Sequence, residues 1–254
     1  MLYKELIQNA CDIPAVPMVA YKVLKLIENP NSTMEEIQRA ITADQAMATR
    51  ILKVANSAFY GVRRSIDTVS EAITIIGFNT VKHIVLAVST REVYKEFGLF
   101  EQKLWEHSLA VSVASGLIAG EIAFLKREEA VVTGLLHDIG KAILNNSQPE
   151  KYSIVIQTVY DKIKPYASVE KEVFGFDHSE VGYLLAEKWG FPEVLCNVIL
   201  KHHTWSSEDP LAGEPYENSL CLVVSLADAF CVRLGAGYKT PMLNLDLGEQ
   251  TLRE

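Results

Sequence analysis

Apolar residues recur at helical spacing along nearly the whole chain, and strictly alternating, strand-like runs are scarce. Met18, Val19, Val23, Leu24, Leu26 and Ile27 line one face of a helix over 18–28, entered through Pro14 and Pro17 and stopped by Asn29-Pro30-Asn31. Ser32 or Thr33 caps the next helix, with Glu35 and Glu36 three residues on in a capping-box arrangement. Asp44 caps a third, running through Ile51 and Leu52 to Ala55, and Asn56-Ser57-Ala58-Phe59-Tyr60-Gly61 is the turn after it. A fourth helix is expected from Ser70 to Ile76, broken at Gly77, and a fifth from Thr80 to about Val93. After a soft boundary near residues 96–100, helices are predicted over 102–123, 128–144, 151–163, 178–189, 193–202 and 218–234. Gly235-Ala236-Gly237 ends the last of these.

Three of the later segments contain polar residues that do not suit their surroundings. The stretch 128–144 is apolar on nearly every side, as in a helix buried all round, yet His137 and Asp138 sit adjacent at its centre. A carboxylate there is costly unless it is paired, hydrogen-bonded or bound to a metal. His107 interrupts the apolar run 104–111, and Asp228 interrupts 222–230. Buried helices that each offer hard nitrogen or oxygen donors describe a metal site in a helical bundle. Five of the six histidines, His107, His137, His178, His202 and His203, lie in this half. With Asp138 and Asp228 they make seven candidate ligands. Imidazole plus carboxylate suits Fe, Mn, Zn or Ni better than Ca or Mg. Lys141, one turn after His137, faces the same side as Asp138 and would hold an anionic group or a bound hydroxide; the plainer reading is an ion pair with Asp138. His202-His203 would equally suit a helix C-terminus, where histidine complements the dipole. Asn56, Phe59 and Tyr60 read as structural residues of the first half, with a partner surface as the alternative.

Composition narrows the class. A chain of 254 residues, 49% hydrophobic and 22% charged, is ordinary for a globular protein with a real core. The net charge of −8 argues against a nucleic-acid footprint. Cys11, Cys196, Cys221 and Cys231 form no CxxC pair and lie in or beside apolar runs, as reduced core residues do. The N-terminus lacks a signal-peptide layout, and Ser108 to Gly120 is too short to span a bilayer. The expectation is a cytoplasmic protein with no membrane contact. Residues 72–81 loosely fit a helix-turn-helix, but the would-be recognition helix after Asn79 is largely apolar, with only Lys82 and His83 able to approach a phosphate or base edge. Packing explains that segment better, His83 is then a surface or satisfied core histidine, and direct DNA binding is not expected.

His107, the run His137-Asp138-x-Gly140-Lys141 and Asp228 resemble the HD superfamily of metal-dependent phosphohydrolases. The chain as a whole more closely resembles the HDOD family (HD-related output domain). That resemblance is carried by Leu52 to Gly61, Ala72-Ile73 to Gly77, Leu135 to Lys141 and Phe176-Asp177-His178-x3-Gly182. It spans about residues 5–235 and implies an all-α fold, with an N-terminal helical subdomain (1–97), an HD-like bundle (98–235) and a C-terminal tail (236–254). It further implies a bacterial signal-transduction module acting through contacts with a signalling protein partner. Many members look like HD enzymes that have lost their ligands; this chain departs from them in keeping a nearly complete set. His107, His137, Asp138 and Asp228 match the first metal site of an HD enzyme. His178, His202 and His203 occupy places resembling the extra ligands of the HD-GYP branch, which hydrolyses cyclic dinucleotides. The expected cofactor is one or two divalent transition-metal ions, Fe or Mn ahead of Zn. The alternative function is a phosphohydrolase acting on a nucleotide or phosphodiester, with Asp138 and Lys141 as its catalytic residues. Lys103 stands where that branch has an acidic ligand, Thr204 replaces a glutamate after the His pair, and no Gly-Tyr-Pro follows.

Overall fold

The computed structural model describes residues 7, 10–56, 62, 64–93, 98–204 and 215–237, and every described regular element is helical. The chain divides into two compact units, one of residues 15–92, the other of residues 1–14 and 93–254.

The first unit holds α1 (Met18–Glu28), α2 (Met34–Thr42), α3 (Gln45–Ala55) and α4 (Val69–Ser89), followed by a 3-10 turn, Thr90–Val93, at the boundary. Thr33, not Ser32, is the cap of α2. Its hydroxyl accepts from the Glu36 amide at 3.2 Å while the Glu36 carboxylate accepts from the Thr33 amide at 2.9 Å. Asp44 caps α3 by accepting from the Met47 amide. Gly77, at φ 79°, kinks α4 where the sequence predicts the break; a side chain would be strained in that backbone. Ala72, Ile73, Ile76, Val81, Ile84 and Val85 are buried on either side of the kink, so the segment is a packing element. Asn56 is structural as expected: its amide group donates to the Leu52 and Ile66 carbonyls and its carbonyl accepts from the Ile66 amide. Phe59 and Tyr60, with the rest of the turn 57–61, lie outside the described residues, as do the His83 side chain and residues 238–254.

The second unit comprises α5 (Leu99–Gly120), α6 (Arg127–Leu136), α7 (Ile139–Ser147), α8 (Pro149–Lys162), α9 (Tyr166–Phe174), α10 (His178–Lys188), α11 (Glu193–Lys201) and α12 (Pro215–Leu234). Three features differ from what the sequence pattern predicts. The single helix expected over 128–144 is two, parted at His137 and Asp138, where Asp138 takes φ −101°, ψ 6°. Helix α9 is additional; it has nine residues between Pro165 and a left-handed Gly175, too few to declare its period. The N-terminal residues up to Pro14 group with this unit, not with the first. Lys188 Nζ donates to the Ile13 carbonyl at 2.6 Å, Trp189 Nε1 to that of Pro14 at 3.0 Å, and Gln148 Nε2 to that of Ala10 at 2.9 Å. The four cysteines are buried and reduced. No helix among the described residues is long and apolar enough to cross a membrane.

Candidate metal centre

Each candidate ligand sits where a helix begins, ends or passes the centre of the second unit. His107 lies inside α5 and Asp228 inside α12, which pack against each other through Val111, Ala227 and Cys231. His137 ends α6 and Asp138 opens α7. His178 is the first residue of α10, and His202 and His203 follow α11. Gly140 allows the closest of these approaches. A Cβ there would stand 1.9 Å from the His178 carbonyl oxygen, so only glycine lets the start of α7 lie against the start of α10. That contact sets His178 beside Asp138.

All seven predicted ligands converge. Donor atoms of Asp138, His178, His202 and His203 lie within 4.8 Å of one another, and so do those of His107, His137 and Asp228. Asp138 faces both groups. Its Oδ1 is 3.1 Å from His178 Nε2 and 3.9 Å from His202 Nε2. Its Oδ2 is 3.5 Å from His137 Nε2 and 3.7 Å from His107 Nε2. Asp228 Oδ1 lies 3.0 Å from His107 Nε2 and 3.8 Å from His137 Nε2. His107, His137, Asp138, His178 and His202 are buried, Asp228 is partly so, and His203 is exposed.

The ring orientations are fixed from behind. The Nδ1–H groups of His137 and His202 donate to the Gly134 and Ile199 carbonyls, each at 2.7 Å, and that of His107 donates to the Ala236 carbonyl at 3.2 Å. His178 donates its Nδ1–H to Glu170 Oε2 at 2.5 Å. These partners only accept, so all four Nδ1 atoms carry hydrogen, and in its neutral form each ring turns an Nε2 lone pair inward, onto two carboxylates. The buried Nε2 atoms of His137 and His202 have no hydrogen-bond partner among the described residues. Orphaned lone pairs beside carboxylate oxygens are the donor set a transition-metal cation satisfies, and the residues present fit one.

The electrostatics agree. Burial pushes His137 below its ordinary value and His202 down to about 3, so both stay neutral donors. Burial also opposes charge on His178, but Glu170 and Asp138 outweigh it and raise the group to about 9. His107 is raised likewise, burial being overcome by its bond to Asp228. Asp138 is held well below the carboxylate range despite burial, by Lys141, His137 and His178. Two carboxylates here thus demand positive charge, from ring protons or from a bound metal. Lys141, buried, supplies some of it: its Nζ donates to Asp138 Oδ2 at 2.7 Å and lies 4.7 Å from the Tyr166 ring centroid.

Glu170 and Tyr152 are parts of the centre that the sequence pattern does not announce. The available signal is weak: Glu170 shares the apolar stripe of α9 with Tyr166 and Val169, but the helix is too short to reveal that stripe. Ala236, assigned from sequence to the tail, is part of the centre through its carbonyl.

The chain matches the HDOD domain over residues 13–205. An uncharacterized protein of Treponema pallidum is 27% identical over 209 residues, 81% of this chain and 40% of that protein. Ribonuclease Y of Aquifex aeolicus is 29% identical over 183 residues, 70% of this chain but 26% of the enzyme. The chain therefore spans less than half of either relative. Among solved structures, an HDOD domain protein of unknown function from Geobacter sulfurreducens superposes with a TM-score of 0.75 at 26% identity, covering 99% of this chain and 83% of that one. A Shewanella amazonensis protein, provisionally called a phosphohydrolase, gives 0.69 at 26% identity over 90% and 80% of the two chains.

Proposed function

The chain belongs to the HDOD domain family, and on that premise we propose that it is a regulatory module of bacterial signal transduction whose second unit is built around a bound transition metal. The observation that carries the metal is the set of four imidazoles, each tied at Nδ1 and turned by Nε2 onto Asp138 and Asp228. His107, His137 and Asp228 would hold one ion, Asp138, His178, His202 and His203 a second, with Asp138 offering one oxygen to each. Such a centre crosslinks α5, α6, α7, α10, α11 and α12. Binding energy spent there stabilises one arrangement of the helices that a signalling partner would read. Lys141 is committed to Asp138 and buried under Tyr166, which favours a structural over a catalytic part for its amine.

A second reading is a metal-dependent phosphohydrolase acting on a nucleotide or phosphodiester. Its support is the nearly complete ligand set, the exposed flank at His203, and the likeness to ribonuclease Y and to the Shewanella protein. When bound, the metal would lower the pKa of a water and polarise a phosphoryl oxygen. Asp138 would fix the two donor groups relative to each other, and Lys141 would neutralise the anionic side of the centre. Turnover of a generic phosphodiester with Mn(II), abolished both by Asp138→Ala and by removal of the metal, would favour this reading. No turnover across nucleotides and cyclic dinucleotides, together with stoichiometric metal, favours the regulatory one.

A further inference from the structure

We infer that Glu170 is a positioning residue that makes the Asp138–His178–His202–His203 group the tighter of the two metal-binding groups. The inference rests on the proposed metal centre and adds a ranking within it. Three of the four inward histidines are backed by neutral carbonyls, of Gly134, Ile199 and Ala236. His178 is backed by a carboxylate. Glu170 is fully buried, and both its oxygens are engaged. Oε2 accepts from the His178 amide at 2.9 Å and from its Nδ1–H at 2.5 Å, while Oε1 accepts from the Tyr152 hydroxyl at 2.8 Å. Tyr152 is itself fully buried, its ring 5.4 Å edge-on from Phe100. The chain Tyr152–Glu170–His178 therefore has no free rotation, and it delivers a negative charge behind the ring. A carboxylate there makes the opposite nitrogen a stronger donor and locks its plane. The other group has no such backing, and Lys141 favours neither: its Nζ sits 2.7 Å from Asp138 Oδ2, and its positive charge bears on His178 and His203 as well as on His107 and His137.

A buried glutamate that merely filled a hydrogen-bonding need would contribute to folding without ranking the two groups, and the test separates these roles. The full chain would be stripped of metal and titrated with Co(II), whose visible absorption reports the ligand field, in the His137→Ala background that leaves the Glu170-backed group complete and in the His202→Ala background that leaves the other group complete. The first should bind the more tightly, and equal affinities would overturn the ranking. Glu170→Gln keeps the shape and a hydrogen-bonding amide but removes the charge. The expected result is about a 10- to 100-fold weaker Co(II) affinity, with helical circular dichroism close to the parent; the metal-free chain loses some stability as well, because Glu170 also supports the charged His178 ring. Tyr152→Phe should shift affinity in the same direction by less, and it carries the test if Glu170→Gln does not fold. Unchanged affinity in the folded variants overturns the role of Glu170 while leaving the metal centre intact. Failure of the unsubstituted chain to take up Co(II) overturns both.

Discussion

His137 and His202 show how one backbone hydrogen bond selects a chemical role. Each donates Nδ1–H to the carbonyl three residues earlier, so the turn that ends its helix also fixes its tautomer. The consequence is a prediction for single substitutions. His202→Ala should weaken transition-metal binding by roughly 100-fold or more, beyond the loss expected for an orienting partner. It should leave the helical circular dichroism nearly intact, because His202 lies beyond the last turn of α11. Unchanged affinity in a metal titration would remove His202 from the centre. His107, His137, Asp138 and Asp228 are legible in the sequence because imidazole and carboxylate are out of place in apolar helices; His178, His202 and His203, at helix ends, are legible only through the family resemblance. Glu170 is not, because its neighbours Lys171 and Glu172 make it look like one more surface charge.

At the scale of elements, the start of α7 against the start of α10 is the contact that assembles the centre. Gly140→Ala would drive a methyl group into the His178 backbone carbonyl, and backbone cannot yield as a flexible side chain would. It should cost about 1–3 kcal/mol or more of stability and displace His178, so a thermal melt and a metal titration should both register it. A variant with native stability and metal affinity would show that the two helices are not pressed together. Asp177, which caps α10 through the Ser179 and Glu180 amides, makes a gentler comparison. Asp177→Ala should lower stability by about 1 kcal/mol, measurable by denaturant unfolding, with His178 kept on its helix. Caps of this kind are readable from residue type, as at Asp44 and, to within one residue, at Ser32-Thr33. The break at His137-Asp138 is not, since Leu135, Leu136, Ile139 and Ile143 carry an unbroken apolar pattern across it. Close approaches at Gly134 and Gly140, made by residues remote in sequence, decide the matter there. The N-terminal stretch up to Pro14 illustrates the same limit: its placement in the second unit depends on donors from Gln148, Lys188 and Trp189.

Taken whole, the molecule is two helical units, of which the second carries every candidate ligand. A metal that binds only the folded state stabilises it by mass action, about 2.7 kcal/mol at a free concentration one hundred times the dissociation constant. Chelation should therefore lower the unfolding temperature of the second unit, which carries the donors. Calorimetry with and without chelator checks this, and an unchanged profile would argue against it. The sharpest test of the centre itself is elemental analysis of the full chain, purified without chelator or a metal-binding tag. The expected outcome is at least one equivalent of a transition metal per chain, lost in Asp138→Ala. A chain that arrives without metal and takes up neither Mn(II) nor Fe(II) when offered would refute the metal centre.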